Sequence, residues 1–166
     1  MNLFLINYRH TNSEPLKSIT AIPFEEAKSL ADNLYRNSSC KAHRRFGSAF
    51  AQYYHDRKTA EEWLYSNFKN QGGIPKLKNP LYFTLEDFEE FASNYNEYEI
   101  FKLYLNDISE EDISFTLGDS MALYYNGALN QLLTKSALLA KLTSDTAKEH
   151  YPFIEAQLWN DKYFTK

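Results

Sequence analysis

Three groupings of reactive side chains stand out along this chain. Cys40 and His43 form a Cys-x-x-His pair beside Arg44 and Arg45, where positive charge favours a thiolate. A structural zinc needs more ligands than His10, His55 and His150 supply without a second cysteine, so no metal is expected and Cys40 reads as an incidental loop residue. Gly118-Asp119-Ser120-Met121 directly follows an alternating segment. A serine at such a strand-to-turn junction is exposed for attack, provided a histidine takes its proton and a carboxylate orients that histidine; Asp145 and His150 are the nearest such pair. Finally, Glu155 and Gln157 alternate with Ile154, Ala156 and Leu158, which puts carboxylate and amide on one strand face where they can meet a ligand. Phe153 and Trp159 share that face.

Two of these groupings carry a family resemblance. Gly118-Asp119-Ser120 resembles the Gly-Asp-Ser motif of the GDSL (SGNH) esterases, which implies Ser120 as nucleophile with Asp145 and His150 as its partners. Tyr-Arg-His-Thr at residues 8 to 11, Ser114-Phe115-Thr116 in the middle and Glu155 near the end resemble the ADP-ribosyltransferase superfamily, whose members carry an Arg or His on an early strand, a Ser or Tyr on a middle one and a Glu late. The resemblance implies NAD held by Arg9 or His10, with Glu155 bonding the ribose as nicotinamide leaves. A carboxylate there stabilises an oxocarbenium-like centre much as it does in a glycosidase.

The elements that must position these residues follow from periodicity. Phe46, Phe50, Tyr53, Ala60, Leu64 and Phe68 recur in steps of three, four or seven, the stripe of a long helix. Burial yields roughly 1.5–3 kcal/mol for each large side chain, so this helix is expected to be a packing centre whose rings lie inside. Gly72 and Gly73 provide its left-handed stop and Pro75 prevents continuation. Arg57 falls on the stripe, so its guanidinium must find a partner or reach water along its stem; a structural arginine is the expectation.

Residues 3 to 8 read as a strand. A helix follows from Pro23, with Phe24, Ala27, Leu30, Ala31 and Leu34 on its buried face, and residues 37 to 43 form a Ser-rich connector. Residues 80 to 85 read as a short strand, with Thr84 capping a helix that carries Phe88 and Phe91. Alternation over 97 to 105 and 113 to 117 gives two more strands, a helix is expected from about 130 to 142, and residues 153 to 159 close the chain as a strand. About five strands and four helices without regular βαβ alternation favour an α+β fold, a mixed or antiparallel sheet with a long central aromatic-rich helix and three or more further helices. The 166 residues suit one domain.

Composition narrows the function classes. With 43% hydrophobic and 24% charged residues the chain is ordinary for a globular protein, although 13 tyrosines and 12 phenylalanines are many. The start Met-Asn-Leu-Phe-Leu-Ile-Asn lacks the basic opening and apolar run of a secretory leader, and no apolar stretch approaches the roughly 18–20 residues of a membrane span. A cytoplasmic protein without membrane contact is expected. Residues 36 to 78 hold nine Lys or Arg against three acids, and residues 79 to 119 hold one against eleven. Lys41, His43, Arg44 and Arg45 near Tyr53 and Tyr54 suit nucleic acid, but a net charge of −4 argues against it. Glycine spacing for a dinucleotide or phosphate loop is absent.

The first functional reading is therefore a domain without assigned chemistry or cofactor, acting through its aromatic, oppositely charged surfaces on a protein partner or a second copy of itself. It expects a polar patch near Glu155 with no deep pocket. The alternative is an ADP-ribosyltransferase-like enzyme using NAD, in which Arg9, His10, Ser114 and Glu155 converge on one cleft. The third is a GDSL-like hydrolase, in which Ser120 lies within hydrogen-bond reach of a histidine.

Overall fold

The computed structural model describes residues 2–11, 17–37, 41–94, 97–144 and 153–164. Its centre is an antiparallel sheet of six strands, β1 (Phe4–His10), β2 (Leu81–Leu85), β3 (Tyr98–Tyr104), β4 (Ile113–Thr116), β5 (Leu133–Thr134) and β6 (Glu155–Leu158), in the order β3-β1-β2-β6-β4-β5. Helices α1 (Phe24–Asn37), α2 (Phe50–Asn70), α3 (Glu89–Ala92), α4 (Ser120–Tyr125) and α5 (Lys135–Ser144) surround it, giving an α+β architecture.

Register assigns the two faces. Leu5 pairs with Leu85 and Leu103, and Phe83 and Phe115 both pair with Ala156, so this face is aliphatic and aromatic and packs with Leu138 of α5 in one cluster. On the other face Ile6 pairs with Thr84, Thr84 with Glu155 and Glu155 with Thr116. One row further along, Tyr82 and Ser114 flank Gln157. All four residues of β4 and of β6 are buried, because each strand lies between two partners and is covered on both faces.

The long helix covers the polar face, and its stripe divides in two. Leu64 and Phe68 pack on Trp159 and Leu132, while Phe50 and Tyr54 join Phe46, Ala27 and Ala31 beneath α1. Between these patches α2 presents Arg57 and Glu61 to the sheet. Helix α2 ends as expected, with Gly72 at φ +93°. Gly73 is required for a different reason: a Cβ there would lie 2.5 Å from the Phe68 ring, which is stacked on Trp159 at 5.5 Å and cannot step aside. Gly73→Ala should lower the unfolding free energy by about 1–3 kcal/mol, the usual cost of overpacking. Gly72→Ala has open space around it and should cost about 1 kcal/mol through its backbone alone. Urea denaturation of the two variants checks this, and equal losses would contradict it.

Several local expectations change. Thr84 remains in β2, its hydroxyl 3.2 Å from the Ile6 carbonyl and 2.9 Å from that of Glu86, and the helix behind it shrinks to the four residues of α3. The segment expected as one helix from 130 begins instead with β5, because Leu133 pairs with Phe115 before α5 starts at Lys135. Leu30, expected inside, is 41% exposed. Among the described residues no helix is long and apolar enough to cross a membrane.

Candidate functional site

Between the polar sheet face, the α1 side and the middle of α2 lies a cavity of about 670 Å³. Tyr8 and His10 of β1, Tyr82 of β2, Glu155 of β6 and Tyr53 and Arg57 of α2 all line it. The 3-10 turn Lys41–Phe46 adds His43, Arg45 and Phe46, and Asp119 stands at the edge of α4. Phe46, expected on the long helix, falls in this turn before α2 starts at Phe50, and with Tyr53 of α2 it is wall as well as scaffold.

Glu155 is 4% exposed. Burial, assisted by the Asp119 charge, pushes its carboxyl up to about 7, against the opposing pull of Arg57, Ser120 and Gln157. A directed chain of hydrogen bonds holds it. The Trp159 indole N–H donates to Ser114 Oγ (2.9 Å), Ser114 donates to Gln157 Oε1 (3.0 Å), and the Gln157 amide donates to Glu155 Oε1 and Thr116 Oγ1 (both 3.0 Å). Thr116 donates onward to the Gly118 carbonyl (2.9 Å). Each group's only available role matches its neighbour's, so the Gln157 amide cannot flip without losing partners.

Arg57 sits over Tyr82, its guanidinium carbon 3.8 Å from the ring centre, with Nε 3.4 Å from Glu61 Oε1. Burial opposes its charge, but Tyr82, Tyr53, Glu155 and Glu61 outweigh that and hold it firmly cationic. Glu61, 1% exposed, also accepts from Thr20 (2.6 Å), Asn79 (2.6 Å) and Tyr82 (3.0 Å). Burial raises the Tyr82 hydroxyl well above its ordinary value, with Arg57 opposing and Glu61 and Glu155 adding to the rise.

His43 is 5% exposed and its Nδ1 is buried without a hydrogen-bond partner among the described residues. Its ring lies 5.3 Å from that of His10 and stacks on Phe46 at 5.6 Å. Burial, then His10 and Arg45, lower it to about 4, so the imidazole is neutral at physiological pH. An unmet buried nitrogen costs about 1–3 kcal/mol.

Of the residues singled out from sequence, Arg9, His10 and Glu155 line this one cavity. Alternation separates the first two: His10 shares the face of Ile6 and Glu155, whereas Arg9 lies on the face of Leu5 and its guanidinium pairs with Glu99 across β3. Ser114 is fully buried behind Gln157 and acts on Glu155 through it. Ser120 Oγ is buried beside Glu155, whose carboxyl it helps hold down. Asp119 caps α4, accepting from Ala122 N at 2.8 Å. Cys40, Asp145 and His150 lie outside the described residues. Sequence reasoning did not reach Tyr82 or Asp119 as wall residues; Arg57 was expected to find a partner as a structural arginine and does so in Glu61, and it lines the cavity as well. Comparison with protein-family models, curated proteins and solved structures finds no match to this chain.

Proposed function

We propose that the cavity binds NAD and transfers its ADP-ribosyl group, with Glu155 as the carboxylate at the reacting ribose. The observation that carries this reading is the meeting of His10 and Glu155, 145 positions apart in sequence and on one sheet face, in one cavity large enough for a nucleotide-sized ligand. In the reaction the bond from the ribose anomeric carbon to the pyridinium nitrogen breaks, and neutral nicotinamide leaves with the electron pair. The ionised Glu155 stabilises the positive charge that develops on the sugar. An acceptor, in the simplest case water, then attacks the same carbon and loses a proton. Gln157, Ser114 and Trp159 position the carboxylate, and His10 is the β1 residue on its face.

The test is nicotinamide release from NAD, with the melting temperature read in parallel because a ligand of the native state raises it. Glu155 works ionised, so kcat/KM should rise with pH through about 7 and level off above it. A flat profile between pH 5.5 and 8.5 would remove Glu155 from the reaction. If neither NAD nor any fragment of it shifts the melting temperature, the contact reading takes its place, supported by Tyr98 and Ile100, which are 43% and 50% exposed on the edge strand β3.

A further inference from the structure

We propose that Arg57 is the oxyanion-binding residue of the cavity, its guanidinium fork receiving a phosphoryl group of the ligand. The inference rests on the cavity being a nucleotide site, but it identifies a group that the family resemblance did not supply. The side chain is 13% exposed, and among the described residues only Nε engages a carboxylate, loosely, at 3.4 Å. Among the described residues no hydrogen bond uses either Nη group, although Arg57 lines the cavity.

A guanidinium carries five N–H donors in a planar fork that matches two oxygens of a phosphate. A structural arginine in a buried setting uses most of those donors within the protein. Here the protein fixes the group without consuming them. The Tyr82 ring supports one face of the plane, and Glu61, itself immobilised by Thr20, Asn79 and Tyr82, balances the charge from the Nε side. What remains open is the bidentate edge.

Two further arginines line the cavity. Arg9 pairs with Glu99, and Arg45 lies over Phe46 at 4.8 Å and Tyr53 at 5.8 Å, on the wall beside His43. Glu155 and Asp119 supply the negative charge of the cavity, so a ligand placing phosphate on Arg57 and a cationic or neutral sugar end toward Glu155 meets complementary charge at both ends. Arg45 is positioned to add to the field on a second phosphate.

Inorganic pyrophosphate, ADP-ribose and adenosine, titrated calorimetrically into the whole protein, test the assignment. Wild-type protein should bind the first two. Arg57→Lys, which keeps the charge but loses the fork, should weaken both by about tenfold or more and leave adenosine unchanged. Because Arg57→Lys could loosen the fold, Arg45→Gln is the second variant: it should weaken pyrophosphate less than Arg57→Lys does. Equal affinity of wild type and Arg57→Lys for pyrophosphate, or no pyrophosphate binding by folded wild type, overturns the proposal. If pyrophosphate binding depends on Arg57 while no nicotinamide is ever released from NAD, the oxyanion site stands and the transfer reading falls. Nicotinamide release with an unchanged KM in Arg57→Lys does the reverse, overturning the oxyanion assignment while the transfer reading stands.

Discussion

Replacing Glu155 by glutamine should abolish nicotinamide release and, in the same protein, make the fold harder to unfold at pH 8. The two effects have one cause. In the folded state burial holds the carboxyl at about 7, whereas in the unfolded chain it titrates near its ordinary value of 4.5. The folded state therefore binds the proton more tightly, and unfolding releases it between those two values. Stability falls as pH rises from about 4.5 to 7, and above 7 the full cost of a buried charge is present. At 1.36 kcal/mol per pKa unit that cost is about 3 kcal/mol, which for a chain of this size corresponds to roughly 5–10 °C in melting temperature. Glutamine keeps the shape and can still accept from the Gln157 amide, so Glu155→Gln should recover most of this at pH 8 and almost nothing at pH 4. Without the negative charge the developing oxocarbenium loses its counter-charge, and the rate should fall by about 10³-fold or more, the scale of removing a preorganised electrostatic group. Melting curves at the two pH values and a nicotinamide assay read both arms. A variant that is equally stable at both pH values, relative to wild type, would show that the carboxyl carries no such burden.

How much of this was legible in the residues depended on the range of the interaction. The strands containing Ser114 and Glu155 were readable because alternation is local, and the closing Gly72 of α2 was readable because a left-handed residue is a local requirement; the first strand, expected over residues 3 to 8, runs on to His10 because Arg9 and His10 pair with Glu99 and Tyr98 of β3. The division of the α2 stripe was not. Phe46 and Tyr53 have the same spacing and chemistry as Phe50 and Phe68, yet only the first two border the cavity, since what covers a ring is decided by α1 and β1 elsewhere in the chain. Arg9 and His10 show the same limit at single-residue scale: the sequence offered both, and the choice needed the register of β1 against β2 and β3. Ser114 was found for its position on the strand, but its role passes through Gln157, and no spacing rule announces a hydrogen-bond chain between partners 43 residues apart. The opposite charges of residues 36 to 78 and 79 to 119 likewise did not predict partners; Arg57 pairs within its own helix, and Arg9 reaches Glu99 from outside the basic segment.

Glu61→Ala should cost more stability than any surface change, about 3–5 kcal/mol, the range for breaking a buried ion pair from one side. Its carboxylate joins four elements, accepting from Thr20 in the turn before α1, from Asn79 and Tyr82 at the entry to and within β2, and balancing Arg57 of α2. Truncation leaves three donors unmet and a guanidinium without its nearest counter-charge. A domain usually holds only about 5–15 kcal/mol in total, so the loss should appear as a large drop in the urea midpoint. The informative comparison is the double variant Glu61→Leu with Arg57→Met. Both charges are then gone, apolar atoms fill the space, and most of the loss should return, because a buried pair exchanged for hydrophobic groups is often neutral or better. A double variant as unstable as Glu61→Ala would mean that the pair itself holds the fold together. Recovery, together with lost pyrophosphate binding, would mean that the fold does not need the pair and that Glu61 is there to hold Arg57 charged and open toward the cavity.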